Sequence, residues 1–156
     1  MTYRIRGLEP GLFTHYFAMD EGELASHRAI RAVADADRGF PCRVSLRDAA
    51  KGDELVLVNH TNHAVDTPYR NSFAIYVRRD ATEAADYVDR CPPVFEGRPI
   101  ALRGYSTAGM LQAARLALPG EADAGIRALL DDPQIAYIDA HNAAHGCFAA
   151  RVTRYD

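Results

Sequence analysis

Four side chains able to bind a metal or move a proton, Asp139, His141, His145 and Cys147, fall within nine residues of the C-terminal region. They adjoin the nearly all-apolar run Ile135-Ala136-Tyr137-Ile138, so polar chemistry sits at the end of a strand that reads as buried. A buried polar group must be hydrogen-bonded or paired, or it costs free energy. Alternate residues of a strand share a face, which puts Tyr137, Asp139 and His141 together and Ile138 with Ala140 opposite. Asp139 and His141 then stand about 7 Å apart at Cα, near enough for the carboxylate to orient the imidazole or raise its pKa. In a symmetric hairpin closed by Asn142 to Gly146, His141 lies opposite Cys147, and an imidazole beside a thiol can generate a thiolate. The plainer alternative is that His141 and Asn142 hydrogen-bond the turn while Cys147 packs as a small hydrophobe.

Two further patterns bear on the chemistry. His141, His145 and Cys147, with Asp139, His60 or His63, are ligand types that zinc takes. However, His141-x-x-x-His145 has helical spacing inside a strand-and-turn pattern, so no metal is assigned. Pro41-Cys42-Arg43 and Pro68-Tyr69-Arg70 each place an arginine two residues after a proline, and Arg103 stands at a strand end. Two converging guanidinium groups would clamp a carboxylate or phosphate; the ordinary alternative pairs them with the protein's own acids, such as Asp48 or Asp66. No Gly-rich phosphate loop, dinucleotide fingerprint or nucleophile-elbow serine occurs, so no cofactor is expected. Lys51 is the only lysine, and its turn-like setting argues against Schiff-base chemistry.

Bulk properties set outer limits. The 156 residues carry a net charge of −3, with the arginines scattered and no basic stripe, which argues against nucleic acid. No apolar run approaches the roughly 20 residues that span a bilayer, and the N-terminus has no apolar signal region. We therefore expect a cytoplasmic protein without a membrane partner. The arginine and alanine bias suggests a bacterial source. Cys42, Cys91 and Cys147 are odd in number and far apart, so reduced thiols are expected.

The elements that must position these groups can be sketched. Tyr3 to Leu8 alternates as a strand, and Asp20 with Glu23 forms a capping box that opens a helix at Glu21. Arg28 to Ala34 fits helix or strand. Cys42 to Leu46 and Glu54 to Val58 read as strands about a turn at Lys51-Gly52-Asp53, followed by a polar loop from Asn59 to Arg70. Phe73 to Val77 is a strand, Thr82 to Val88 a short helix, and Pro99 to Tyr105 a strand. Met110 to Leu118 is ambiguous, and Glu121 to Leu130 is an amphipathic helix. Ile135 to His141 and Cys147 to Arg154 form a closing hairpin, with Gly146 able to take positive φ. The sum is an α+β domain around a mainly antiparallel sheet that could curl toward a barrel. Its exposed edges leave homo-oligomerisation open.

The chain resembles an uncharacterised bacterial family of short proteins, catalogued as domain of unknown function 1203. The resemblance rests on Gly39-Phe40-Pro41-Cys42-Arg43-Val44-Ser45-Leu46 with Asp48, on Pro68-Tyr69-Arg70, and on Arg103-Gly104-Tyr105. It closes with His141-Asn142-Ala143, Gly146-Cys147 and Arg154. The family pattern often has a histidine where this chain has Asp139 and an aspartate where it has Ser106, which removes a shared His-x-His pair. The resemblance implies no activity.

The expectation is a cofactor-independent enzyme acting on a small anionic metabolite. Arg43, Arg70, Tyr69 and Arg103 would bind the anion, and His141, oriented by Asp139 or Asn142, would act as acid or base. Cys147 or Cys42 would be the nucleophile. The alternatives are a non-catalytic small-molecule or metal-binding module, and an interaction protein whose matched residues only hold the fold together.

Overall fold

The computed structural model describes residues 1–156. Two antiparallel sheets organise the chain, with two helices, which makes it α+β as the sequence implies. Strands β1 (Tyr3–Arg6), β5 (Asp86–Val88), β6 (Ile100–Tyr105), β7 (Leu111–Ala117), β8 (Tyr137–Asn142) and β9 (Phe148–Arg154) form one sheet, in the order β5-β1-β9-β8-β6-β7. Strands β2 (Ala29–Val33), β3 (Glu54–His63) and β4 (Asn71–Arg78) form the other, in the order β2-β3-β4. Both sheets stay open; neither closes into a barrel. No helix is long and apolar enough to cross a membrane.

The strand alternation read from the sequence sorts the six-stranded sheet. On one face Ile138, Ala140, Leu102 and Val152 pack with Ile126 and Leu129 of helix α2 (Ala122–Leu130) in the larger core. The other face carries Tyr137, Asp139 and His141 toward the three-stranded sheet, where Phe73 meets His141 edge-on at 5.1 Å. Helix α1 (Glu21–Ser26) opens on the expected reciprocal cap: the Glu23 amide donates to Asp20 Oδ1 at 2.8 Å and the Asp20 amide to Glu23 Oε2 at 3.0 Å.

Several segments depart from the pattern in sequence. Arg28 turns with φ 54°, and the ambiguous stretch beyond it becomes β2. Met110 to Leu118 resolves as β7. Asp86–Val88 is a strand rather than part of a helix, because the amide of Ala85 donates to Val44 and its carbonyl accepts from Gly7. The polar segment after Val58 is not all loop: β3 runs on to His63, with an irregularity between His60 and His63.

Cys42 to Leu46 is not a strand but a tight turn. The Leu46 amide returns to the Cys42 carbonyl at 3.0 Å, and Leu46 takes φ 53°. The turn is pinned from outside, with the Arg43 amide donating to Tyr76 and the Leu8 amide to the Arg43 carbonyl. Gly7 permits the approach, since a Cβ there would stand 1.9 Å from the Val44 carbonyl oxygen. Leu46 itself is fully buried, and burial of a leucine side chain offsets the cost of the left-handed backbone.

The closing hairpin forms with Gly146 at φ 79°, but its register is not symmetric. A bulge between Ala140 and His141 pairs His141 with Phe148 rather than Cys147. The Cys147 carbonyl instead accepts from the Asn142 amide at 2.9 Å. One extra residue on one strand turns the following side chains relative to the ladder, and this separates the imidazole from the thiol.

Candidate functional site

A cavity of about 540 Å³ opens where the Cys42–Leu46 turn, β4 and the β8–β9 hairpin meet. Leu57, Phe73, Ala74, Tyr76, Pro41 and Pro99 supply apolar wall, and Arg43, Arg98, Asn142, His145 and Cys147 supply its polar groups. No aspartate or glutamate lines it. Such a mostly apolar hollow with a few convergent polar groups is the usual form of a small-molecule site.

Arg43 dominates its electrostatics. The residue is only 2% exposed. Its Nε donates to the Phe148 carbonyl at 2.8 Å, one Nη donates to the Pro41 carbonyl, and the other donates to Cys147 Sγ at 3.0 Å. Burial lowers the Arg43 pKa, opposed by the nearby sulfurs of Cys147 and Cys42. No carboxylate is among its partners, whereas the other cavity arginine, Arg98, holds Asp48 through two contacts of 2.6 and 3.0 Å. A buried charge without a counter-charge is costly, so the bare Arg43 cation is the feature that asks for an anion.

Cys147 is half-buried and reduced. Its sulfur also receives the Asn142 amide nitrogen at 3.5 Å. Two donors thus converge on Sγ.

His141 and Asp139 lie elsewhere. His141 is fully buried, with Nδ1 donating to the Gly146 carbonyl at 2.9 Å and Nε2 left without a hydrogen-bond partner. Burial pushes its pKa down to about 4, so the ring is neutral at pH 7. The ring of Phe73, a wall of the cavity, touches His141, but His141 itself does not line the space. Asp139 does not orient this imidazole. Its directly opposite neighbour is Arg151, whose guanidinium takes both carboxylate oxygens at 2.7 and 3.0 Å. A cross-strand fork captures the acid before a same-strand imidazole can.

Of the groups singled out in the sequence, Arg43, Asn142 and Cys147 come together at the cavity, with His145 beside them. Cys42 is fully buried, accepts the Arg78 amide on its sulfur at 3.3 Å, and does not line the space. Arg70 is exposed in the loop after β3, so it does not converge with Arg43. Tyr69 leans on Tyr105 with ring centroids 6.2 Å apart. Arg103 stands over the Phe73 ring at 6.0 Å.

His60 and His63 do not form a pair. The first packs on Phe13, and the second lies fully buried against Tyr105. His63 Nδ1 donates to the Tyr69 carbonyl at 2.9 Å, and Nε2 shares a hydrogen bond of 2.8 Å with Tyr137 Oη. This knot ties the two sheets together. No group of three or more His, Cys, Asp or Glu side chains is arranged to hold a metal. Sequence reasoning missed Arg98, Tyr76 and the hairpin alanines Ala143 and Ala144 as cavity wall; nothing in their local pattern marks them.

A family model described as "Protein of unknown function (DUF1203)" matches residues 39–154. The chain belongs to that family. The matched span contains every residue of the cavity wall, from Gly39 to Cys147. It leaves out β1, α1 and β2, although β1 lies inside the larger sheet. No curated protein and no solved structure matches the chain.

Proposed function

We propose that this DUF1203 protein is a cofactor-independent cytosolic enzyme that takes a small anionic molecule into the Arg43 cavity and attacks it with Cys147. One observation carries the reading: a guanidinium that is almost wholly buried, lacks a carboxylate partner and touches a cysteine sulfur at 3.0 Å on the wall of an open cavity. In this reading Arg43 and Asn142 hold the sulfur, and the apolar wall excludes water from the reacting atoms. Proton transfer falls to His145, which is exposed and lines the cavity, rather than to the sealed His141.

A second reading, a non-catalytic anion-binding module, is favoured by the absence of any hydrogen bond between an imidazole and Cys147. A thermal-shift screen of small organic acids, followed by turnover assays on those that bind, separates the two. Cys147→Ala should keep ligand binding and lose turnover. Undiminished turnover in that variant rejects Cys147 as nucleophile, and a screen in which no anion raises the melting temperature rejects the anion site.

A further inference from the structure

We propose that a carboxylate bound in the cavity slows, without abolishing, the reaction of Cys147, because the single positive charge of Arg43 is then shared between it and the sulfur. The inference rests on the reading that the cavity takes small anions, and it adds how such a ligand controls the thiol. Two of the three Arg43 contacts go to the carbonyls of Pro41 and Phe148. These fix the guanidinium in place but bring no net charge. Its one partner able to become an anion is Cys147 Sγ.

Arg98 offers no relief, since Asp48 already occupies it from outside the lining. A carboxylate entering from the open side therefore meets one cation that the Cys147 sulfur already contacts. Apolar wall from Leu57, Phe73 and Tyr76 cannot solvate a second, unpaired anion. Occupancy by one anion must then disfavour the other, and the factor is the same in both directions. The ligand class follows from the same wall: a small organic acid with a carboxylate head for Arg43 and an apolar body for Leu57, Phe73 and Tyr76.

Benzoate is a suitable probe and benzamide its uncharged counterpart. The rate of Cys147 alkylation by iodoacetamide, a neutral reagent, is followed by peptide mass analysis, with half-buried Cys91 as internal reference. Benzoate should slow modification of Cys147 by about 5-fold or more, leave Cys91 unchanged, and have no counterpart in benzamide. In the reciprocal titration, Cys147→Ala should bind benzoate more tightly than the wild type, by a matching factor. Equal protection by benzoate and benzamide would mean simple steric blockage and overturn the proposal. So would absence of protection, or a Cys147→Ala variant that binds benzoate no more tightly. Any of these results alongside intact Cys147-dependent turnover removes the inference and leaves the functional reading standing.

Discussion

Replacing His141 by phenylalanine should flatten the acid limb of the protein's stability curve. The imidazole is fully buried between Phe73 and Phe148, at ring separations of 5.1 and 5.9 Å. Burial is the largest influence on its pKa, ahead of the Gly146 carbonyl and the charges of Arg103 and Asp139, which act in opposite senses, and it holds the folded value at about 4 against an ordinary 6.5. The unfolded chain therefore takes up the proton first as the pH falls. Stability is complete above the unfolded value, declines between the two values, and stays low below the folded one.

Linkage between those two values gives a loss of about 2 kcal/mol on going from about pH 7.5 to about pH 5. For a chain of this size that is about 4–8 °C in melting temperature. Phenylalanine keeps both ring contacts and cannot titrate, so its own acid loss should be smaller by that amount, whatever its absolute stability. Urea unfolding of both proteins at the two pH values measures the difference directly. Parallel pH profiles would mean that the imidazole is protonated and accommodated in the folded state, and the account of a sealed, neutral His141 would be wrong.

Other perturbations test the surrounding framework. Gly146→Ala places a Cβ at φ 79° and should cost about 1 kcal/mol in chemical unfolding. Asp139→Ala strands Arg151 and should destabilise by about 3 kcal/mol, the lower end for a buried pair because Arg151 stays partly solvated; a change within error in denaturant midpoint would refute the pairing. Cys42→Ser puts a hydroxyl in an apolar site at a cost of about 1–3 kcal/mol, yet iodoacetamide labelling of Cys147 should proceed at the wild-type rate.

Local chemistry was legible where the fold uses it locally. The Asp20/Glu23 cap opens the helix that its pattern predicts, and period-two alternation places Tyr137, Asp139 and His141 on one face. Arg43, Asn142 and Cys147 were identified from residue type alone, and three separate elements bring them to one cavity. What failed depended on single-residue shifts or distant partners. The bulge at His141 cannot be seen in a sequence whose alternation looks regular, and it moves the imidazole away from the thiol. The Cys42–Leu46 turn looks extended because its residues favour strands; backbone bonds from Leu8, Tyr76 and Ala85 impose the turn. Arg98 and Tyr76 join the cavity only through such tertiary contacts.

The place of β1 between β5 and β9 has a consequence for how the molecule comes into being. β1 is synthesised long before β9, which it needs as its neighbour, with Arg6 opposite Arg151 and Tyr3 opposite Arg154. The Tyr155 amide then closes onto the Thr2 carbonyl. Until β9 is made, the nascent chain carries β1 with an unpaired edge, the kind of surface that invites misplaced pairing. Arg43 waits for the same segment, because the Phe148 carbonyl and the Cys147 sulfur that hold it are 105 and 104 residues away. Contacts so distant in sequence form slowly. The contacts that hold Arg43 on the cavity wall therefore form only as the sheet is completed.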